Sequence, residues 1–168
     1  NIFEGKTFRD IDISQRPFIE INATNLGAGS RFSFIQLYFD LICSDLMDFK
    51  VARAVTASSA VPIMFAPVVL KSYSGQCNVD QNPLLQNLIN IHDPDPRVRE
   101  LQHRIRRYMD QQGHPYIHLI DGGVVDNLGV RAMTERLEAF QNGFGHLTGL
   151  HSAKNIVVIT VDAEVEPV

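Results

Sequence analysis

The chain has 168 residues, of which 45% are hydrophobic and 20% are charged, and its formal net charge at pH 7 is -4. This length and composition fit one compact domain with a hydrophobic core, or a large piece of one. The negative net charge argues against nucleic acid as a partner. The sequence has no run of about 18 apolar residues, so we predict no membrane span and expect a chain that is soluble or peripheral at a membrane surface.

Apolar patterning predicts strands and helices that alternate along the chain. Residues 116–120 are a short apolar run that ends in a glycine turn, and residues 155–161 are a β-branched run typical of a strand covered on both faces. Together the segments indicate a layered α/β fold. In chain order we predict a strand at 17–22, a turn at 23–29, an antiparallel strand at 31–35, a short helix or turn at 38–46, a helix at 51–60, a strand at 67–73, a helix at 97–112, a strand at 116–120, a helix at 130–140 and a strand at 155–161.

Residues 74–112 form an insertion in this pattern. Its first part is rich in Asn, Gln, Asp and Pro, and its second part is a basic helix with apolar residues at helical spacing. The basic helix has two interpretations: it lies on an anionic lipid surface, or its apolar stripe packs on the core and leaves the arginines in water. We favour the second, and a role as a lid stays open.

Four other features carry little functional weight. Cys43 and Cys77 have no CxxC spacing, so neither a zinc site nor a disulfide framework is predicted. The six histidines show no metal-ligand spacing. Ser58 and Ser59 lie in a helix of small residues, where close packing is a better explanation than a nucleophile. Asp45 is predicted to cap the segment that begins at Leu46.

Residues 118–130, with the sequence HLIDGGVVDNLGV, are the most informative part of the chain. The predicted strand delivers Asp121 directly into the turn made by Gly122 and Gly123. A carboxylate fixed at the end of a rigid strand, beside backbone without side chains, can face a substrate at close range. We therefore predict a catalytic base at Asp121; the alternative is a turn in which this residue caps the following helix. His118 points to the opposite face of the strand, so a His-Asp pair is not expected.

Three blocks of the sequence together resemble the patatin-like phospholipase family. They are PFIEINATNL at 17–26 with Gly29 and Phe32 after it, VARAVTASSAVPIMF at 51–65, and IDGGVVDN at 120–127. The resemblance implies a layered fold with a central, mostly parallel sheet flanked by helices, here incomplete. It also implies lipid acyl hydrolase activity that needs no metal and no cofactor. We interpret residues 1–168 as the C-terminal portion of a single patatin-like domain, with the insertion at about 74–112.

The family uses a Ser-Asp dyad, with the serine in a GxSxG turn and the aspartate in an Asp-Gly-Gly or Asp-Gly-Ala motif. Asp121 matches that aspartate, which implies that it takes the proton of the serine hydroxyl and later activates water. No serine of this chain lies in GxSxG, and the glycine-rich oxyanion loop is also absent. We expect both upstream of Asn1, so the chain alone should be inactive.

The partners that the resemblance implies are a lipid or phospholipid acyl ester, a membrane surface, and the upstream segment of the same protein. Two alternatives stay open. One is a patatin-fold module that binds lipid or protein without catalysis, and the other is an unrelated α/β binding domain in which Asp121 caps a helix.

Overall fold

The computed structural model describes residues 3–11, 19–78, 83–90, 96–139, 155, 157, 159 and 160. The chain divides into two compact units, Asn1–Gly122 and Gly123–Val168. The first unit holds a 3-10 turn at Phe8–Asp10, strands β1 (Asn22–Asn25), β2 (Ser30–Ser33), β3 (Val68–Lys71) and β4 (Tyr116–Ile120), and helices α1 (Gln36–Leu41), α2 (Val51–Ser58), α3 (Pro83–Asn90) and α4 (Pro96–Met109). The second holds α5 (Gly123–Asp126) and α6 (Val130–Ala139).

The four strands form one sheet in the order β2-β1-β4-β3, and all three pairings are antiparallel. The mixture of helices and strands confirms the predicted α/β class. The described strands do not form the mostly parallel sheet that the resemblance implies. One reason lies in the connection between β1 and β2, which is only four residues long, because a parallel pair needs a crossover of a dozen residues or more.

The first strand lies later in the chain than predicted. β1 begins at Asn22, whereas we placed a strand at 17–22 and a turn at 23–29; residues 17 and 18 lie outside the described part. Long-range pairing explains the difference: Thr24 lies opposite both Arg31 of β2 and Ile120 of β4, and Ala23 is fully buried. Pairing on both sides outweighs the local turn signal of the glycines that follow.

Several other predicted elements match the structure closely. β4 has the bounds predicted for it, and α2, β3, α4 and α6 each lie within a few residues of theirs. The Asp45 carboxylate accepts a hydrogen bond from the Met47 N–H at 2.8 Å, but residues 46–49 form a turn, so the side chain stabilises a turn and caps no helix. α3 was not predicted, although Leu84, Leu85, Leu88 and Ile89 stand at helical spacing in its sequence, because we read residues 74–96 together as a polar excursion. Of the predicted strand at 155–161, residues 156, 158 and 161 lie outside the described part, and the other four have no regular structure.

The core of the first unit is built around Phe32 of β2, which is fully buried. Its ring lies 5.3 Å from that of Phe34, 5.2 Å from Tyr38 and 5.9 Å from Tyr108, all three in edge-on geometry. Such pairs add roughly 0.5–1.5 kcal/mol each beyond burial. Because Tyr108 belongs to α4, the apolar stripe of the basic helix packs on the core, as the favoured interpretation predicted.

Cys43 and Cys77 form a disulfide, which the sequence did not indicate. They are 34 residues apart in sequence, yet their Cα atoms lie 5.6 Å apart. The chain folds back at this point, since the Tyr73 N–H donates to the Ile42 carbonyl at 3.0 Å. Proximity created by tertiary structure leaves no signal in cysteine spacing, which is why the prediction was wrong here. None of the helices in the described ranges has both the length and the apolar character that a membrane span needs.

Candidate functional site

Asp121 lies at the carboxyl end of β4, where it is half-buried. Its N–H donates to the Ala60 carbonyl at 2.9 Å, and the N–H of Gly122 donates to the Ser58 carbonyl at 3.1 Å. Two backbone hydrogen bonds thus tie the turn after β4 to the end of α2. The Asp121 backbone is therefore fixed by neighbours far away in sequence.

Thr24 of β1 makes a third link to the same turn. Its hydroxyl donates to the Asp121 carbonyl at 2.8 Å, and its side chain is almost fully buried. This contact was missed from the sequence, although Thr24 lies in the first of the three blocks that carry the resemblance. One residue from each block therefore meets at Asp121: Thr24 from the first, Ala60 from the second and Asp121 itself from the third.

Gly122 is required by the packing of the turn against β1. A Cβ atom at this position would lie 2.7 Å from the Asn22 carbonyl oxygen and 3.3 Å from its carbon, and both are backbone atoms that cannot rotate away. We expected the glycines to leave room for a ligand. The space beside Gly122 is occupied by β1 instead, so this glycine lets two backbone segments approach and so sets the position of its neighbour Asp121.

Ser58 and Ser59 lie at the end of α2, next to the turn that holds Asp121. The Ser59 hydroxyl donates to the Val55 carbonyl of the preceding turn at 2.9 Å, and the Ser58 carbonyl is the acceptor for Gly122. Ala54 and Ala57 of the same helix are fully buried. Small side chains let α2 lie close to β1 and β4, which agrees with the interpretation drawn from the sequence.

An exposed apolar loop follows directly after Ala60. It comprises residues 61–65, with Val61, Ile63, Met64 and Phe65 all exposed. Ile63 has a φ of 75°, a left-handed conformation that is costly for a β-branched residue. Contiguous apolar surface of this kind marks a binding site or an interaction surface more often than scattered exposed residues do.

The remaining candidates lie elsewhere. His118 is exposed and lines a small cleft with Arg107 and His114. In the part of the chain that the structure describes, no group of three or more His, Cys, Asp or Glu residues is placed to hold a metal ion.

Comparisons with family models, with curated proteins and with solved structures give no match to this chain. The fold and site define a mixed α/β protein with a fixed, half-buried aspartate at a strand end.

Proposed function

We propose that this chain is part of a patatin-like lipid acyl hydrolase, to which it contributes Asp121 as the general base. The observation that carries the proposal is the meeting of three distant sequence blocks at this one residue. The hydrogen bonds from Thr24 to Asp121 and from Asp121 to Ala60 join all three. The same blocks carry the resemblance to the family, so their convergence supports a shared site rather than three unrelated packing motifs.

The chemistry assigned to Asp121 is proton transfer. A carboxylate within hydrogen-bond reach of a serine hydroxyl accepts its proton as the oxygen attacks the ester carbonyl, and it passes that proton to the alcohol that leaves as the acyl-enzyme forms. The carboxylate then takes a proton from water as the water oxygen attacks the acyl-enzyme, and it returns this proton to the serine oxygen as the fatty acid is released. The backbone anchors of Asp121 support this role, because a base must be held in a fixed position to act in the transition state.

The proposal assigns the serine to a GxSxG turn in a segment that precedes Asn1, since the sequence of 168 residues contains no such turn. It assigns the glycine-rich oxyanion loop to the same segment. That segment would also supply strands to the sheet. We therefore propose that the complete sheet is mostly parallel and layered, as in the family, and that it contains strands beyond the four described.

The apolar loop at residues 61–65 supports a lipid as the substrate class. It begins next to the backbone that holds Asp121, and it presents four large apolar side chains to solvent. An acyl ester must place a hydrocarbon chain against apolar surface while its carbonyl lies near the catalytic groups. The proposed substrate is therefore a lipid or phospholipid acyl ester. The protein would reach it by contact with a membrane surface.

The test uses the parent protein that contains this chain and measures hydrolysis of a chromogenic acyl ester. Asp121→Asn keeps the shape of the side chain and removes the base, so we expect kcat to fall by about 10²- to 10⁴-fold with little change in KM. Asp126→Asn is the matched control, because this second aspartate of the same block accepts a hydrogen bond from the Arg131 N–H that asparagine can also accept. Its turnover should stay near that of the wild type.

Circular dichroism should show the same fold for both variants. Normal turnover by Asp121→Asn would refute the base assignment. A parent in which another residue replaces the GxSxG serine, and which hydrolyses no ester, would instead favour the non-catalytic binding module.

A further inference from the structure

A small polar cleft lies at the other end of β4 from Asp121. Three side chains that can carry positive charge line it: Arg107 from the end of α4, His114 from the loop after it, and His118 from β4. None of the residues that line the cleft is acidic. Its volume of about 40 Å³ is room for about three water molecules, comparable to one small oxyanion.

Hydrogen bonds hold the side chain of Arg107 and the backbone of His114 and His118. The Arg107 guanidinium donates to the Gly27 carbonyl, which uses only part of its donor capacity. The His114 N–H donates to the Asp110 carbonyl at 3.0 Å, and the His118 carbonyl accepts from the Leu26 N–H at 2.9 Å. The Arg107 side chain and the backbone at His114 and His118 are thus fixed before any ligand arrives, and binding needs to order only the two imidazole rings.

Asn25 and Tyr108 line the cleft and stay neutral. The Asn25 amide donates to the Tyr108 hydroxyl at 3.1 Å, and its oxygen accepts from the N–H groups of Gly27 and Ala28 at 3.1 and 3.3 Å. Burial raises the pKa of Tyr108 to about 12, so the phenol carries no negative charge at neutral pH. No group among the lining residues therefore opposes an anion.

We propose that the cleft between Arg107, His114 and His118 binds a phosphate group. A guanidinium presents several N–H donors in one plane, which suits the oxygens of a phosphate, and imidazole N–H groups add further donors. The phosphate comes from one of two sources: a free phosphate ion, or the phosphodiester of a lipid head group. This inference does not depend on the proposed hydrolase activity.

The experiment follows the imidazole NMR resonances of the full chain while sodium phosphate or glycerophosphocholine is added at constant ionic strength. The His114 and His118 signals should shift and saturate, whereas His103, which is exposed on α4 and does not line the cleft, should not respond. Arg107→Gln should weaken binding by about tenfold. Arg106→Gln, on the exposed side of the same helix, should bind like the wild type.

The two ligands separate the sources. Saturation by phosphate alone supports a free ion, and saturation by glycerophosphocholine at equal or lower concentration supports a lipid head group. No saturation with either ligand overturns the proposal, and so does an equal loss in Arg106→Gln and Arg107→Gln. If Arg107→Gln does not fold, His118→Gln replaces it, with an expected loss of roughly threefold; unchanged binding in that variant also overturns the site.

Discussion

Removal of the Cys43–Cys77 disulfide should destabilise the chain by an amount that follows from its position. The bridge closes a loop across 34 positions of sequence. In the chain-entropy model, a loop of this length restricts the unfolded state enough to stabilise the fold by about 4 kcal/mol at 25 °C. For a chain of this size, that corresponds to a fall in Tm of roughly 10 °C.

Urea unfolding of four proteins tests this magnitude: the wild type, Cys43→Ser, Cys77→Ser and the double variant. All three variants should lose about the same free energy of unfolding, because either substitution opens the same loop. Dithiothreitol should lower the stability of the wild type by a similar amount and leave the double variant unchanged. Variants within about 0.5 kcal/mol of the wild type would show that the bridge does not constrain the unfolded chain, and additive losses would show that each cysteine acts by itself.

Three further predictions concern the turn at Asp121 and the core. Gly122→Ala should lower the free energy of unfolding by about 1–3 kcal/mol in urea and also lower turnover in the parent, because its Cβ would press on the Asn22 backbone. Gly27→Ala is the control, because its Cβ would make only ordinary contacts at 3.6 and 3.7 Å. Phe32→Ala should cost about 3–5 kcal/mol, and a loss below 1 kcal/mol would contradict its central place in the core. The raised pKa of Tyr108 means that the folded state holds the phenolic proton more tightly than the unfolded state, so this contribution to stability is complete below about pH 10 and is lost as the pH rises toward 12. The full contribution of this group to the free energy of unfolding is about 3 kcal/mol. Urea unfolding at a series of alkaline pH values should show the free energy of unfolding of the wild type falling as this contribution is lost, and this part of the fall should be absent in Tyr108→Phe.

The local sequence pattern predicted the elements in which the apolar and small residues match the packing that the fold gives them. β4 is a short apolar run bounded by a proline and a glycine turn, and its bounds were predicted without error. The small residues of α2 indicated close packing, and the buried Ala54 and Ala57 confirm it. The position of Asp121 at the end of β4 also followed from the sequence, because a strand that stops at a double glycine leaves little choice of geometry.

Long-range pairing explains what the sequence did not predict. The end of β1, at Thr24 and Asn25, pairs with β4, which is nearly a hundred residues away in sequence. A similar distance separates Thr24 from the Asp121 carbonyl that accepts its hydrogen bond. The antiparallel pairing of β2 with the strand before it was predicted, because a short turn joins them. The antiparallel pairings of β4 with β1 and β3 were not visible locally, because strand direction depends on the path between strands rather than on their composition. The bridge between Cys43 and Cys77 was missed for the same reason.

The most direct measurement for the assignment of Asp121 is the location of the nucleophile that it activates. The parent protein is labelled with a fluorophosphonate, which reacts with activated serines, and the modified residue is identified by mass spectrometry. We predict that the label is found on a GxSxG serine outside these 168 residues and that Asp121→Asn reduces the rate of labelling by about 10²-fold or more. A label on Ser58 or Ser59, or a labelling rate unaffected by Asp121→Asn, would contradict the assignment.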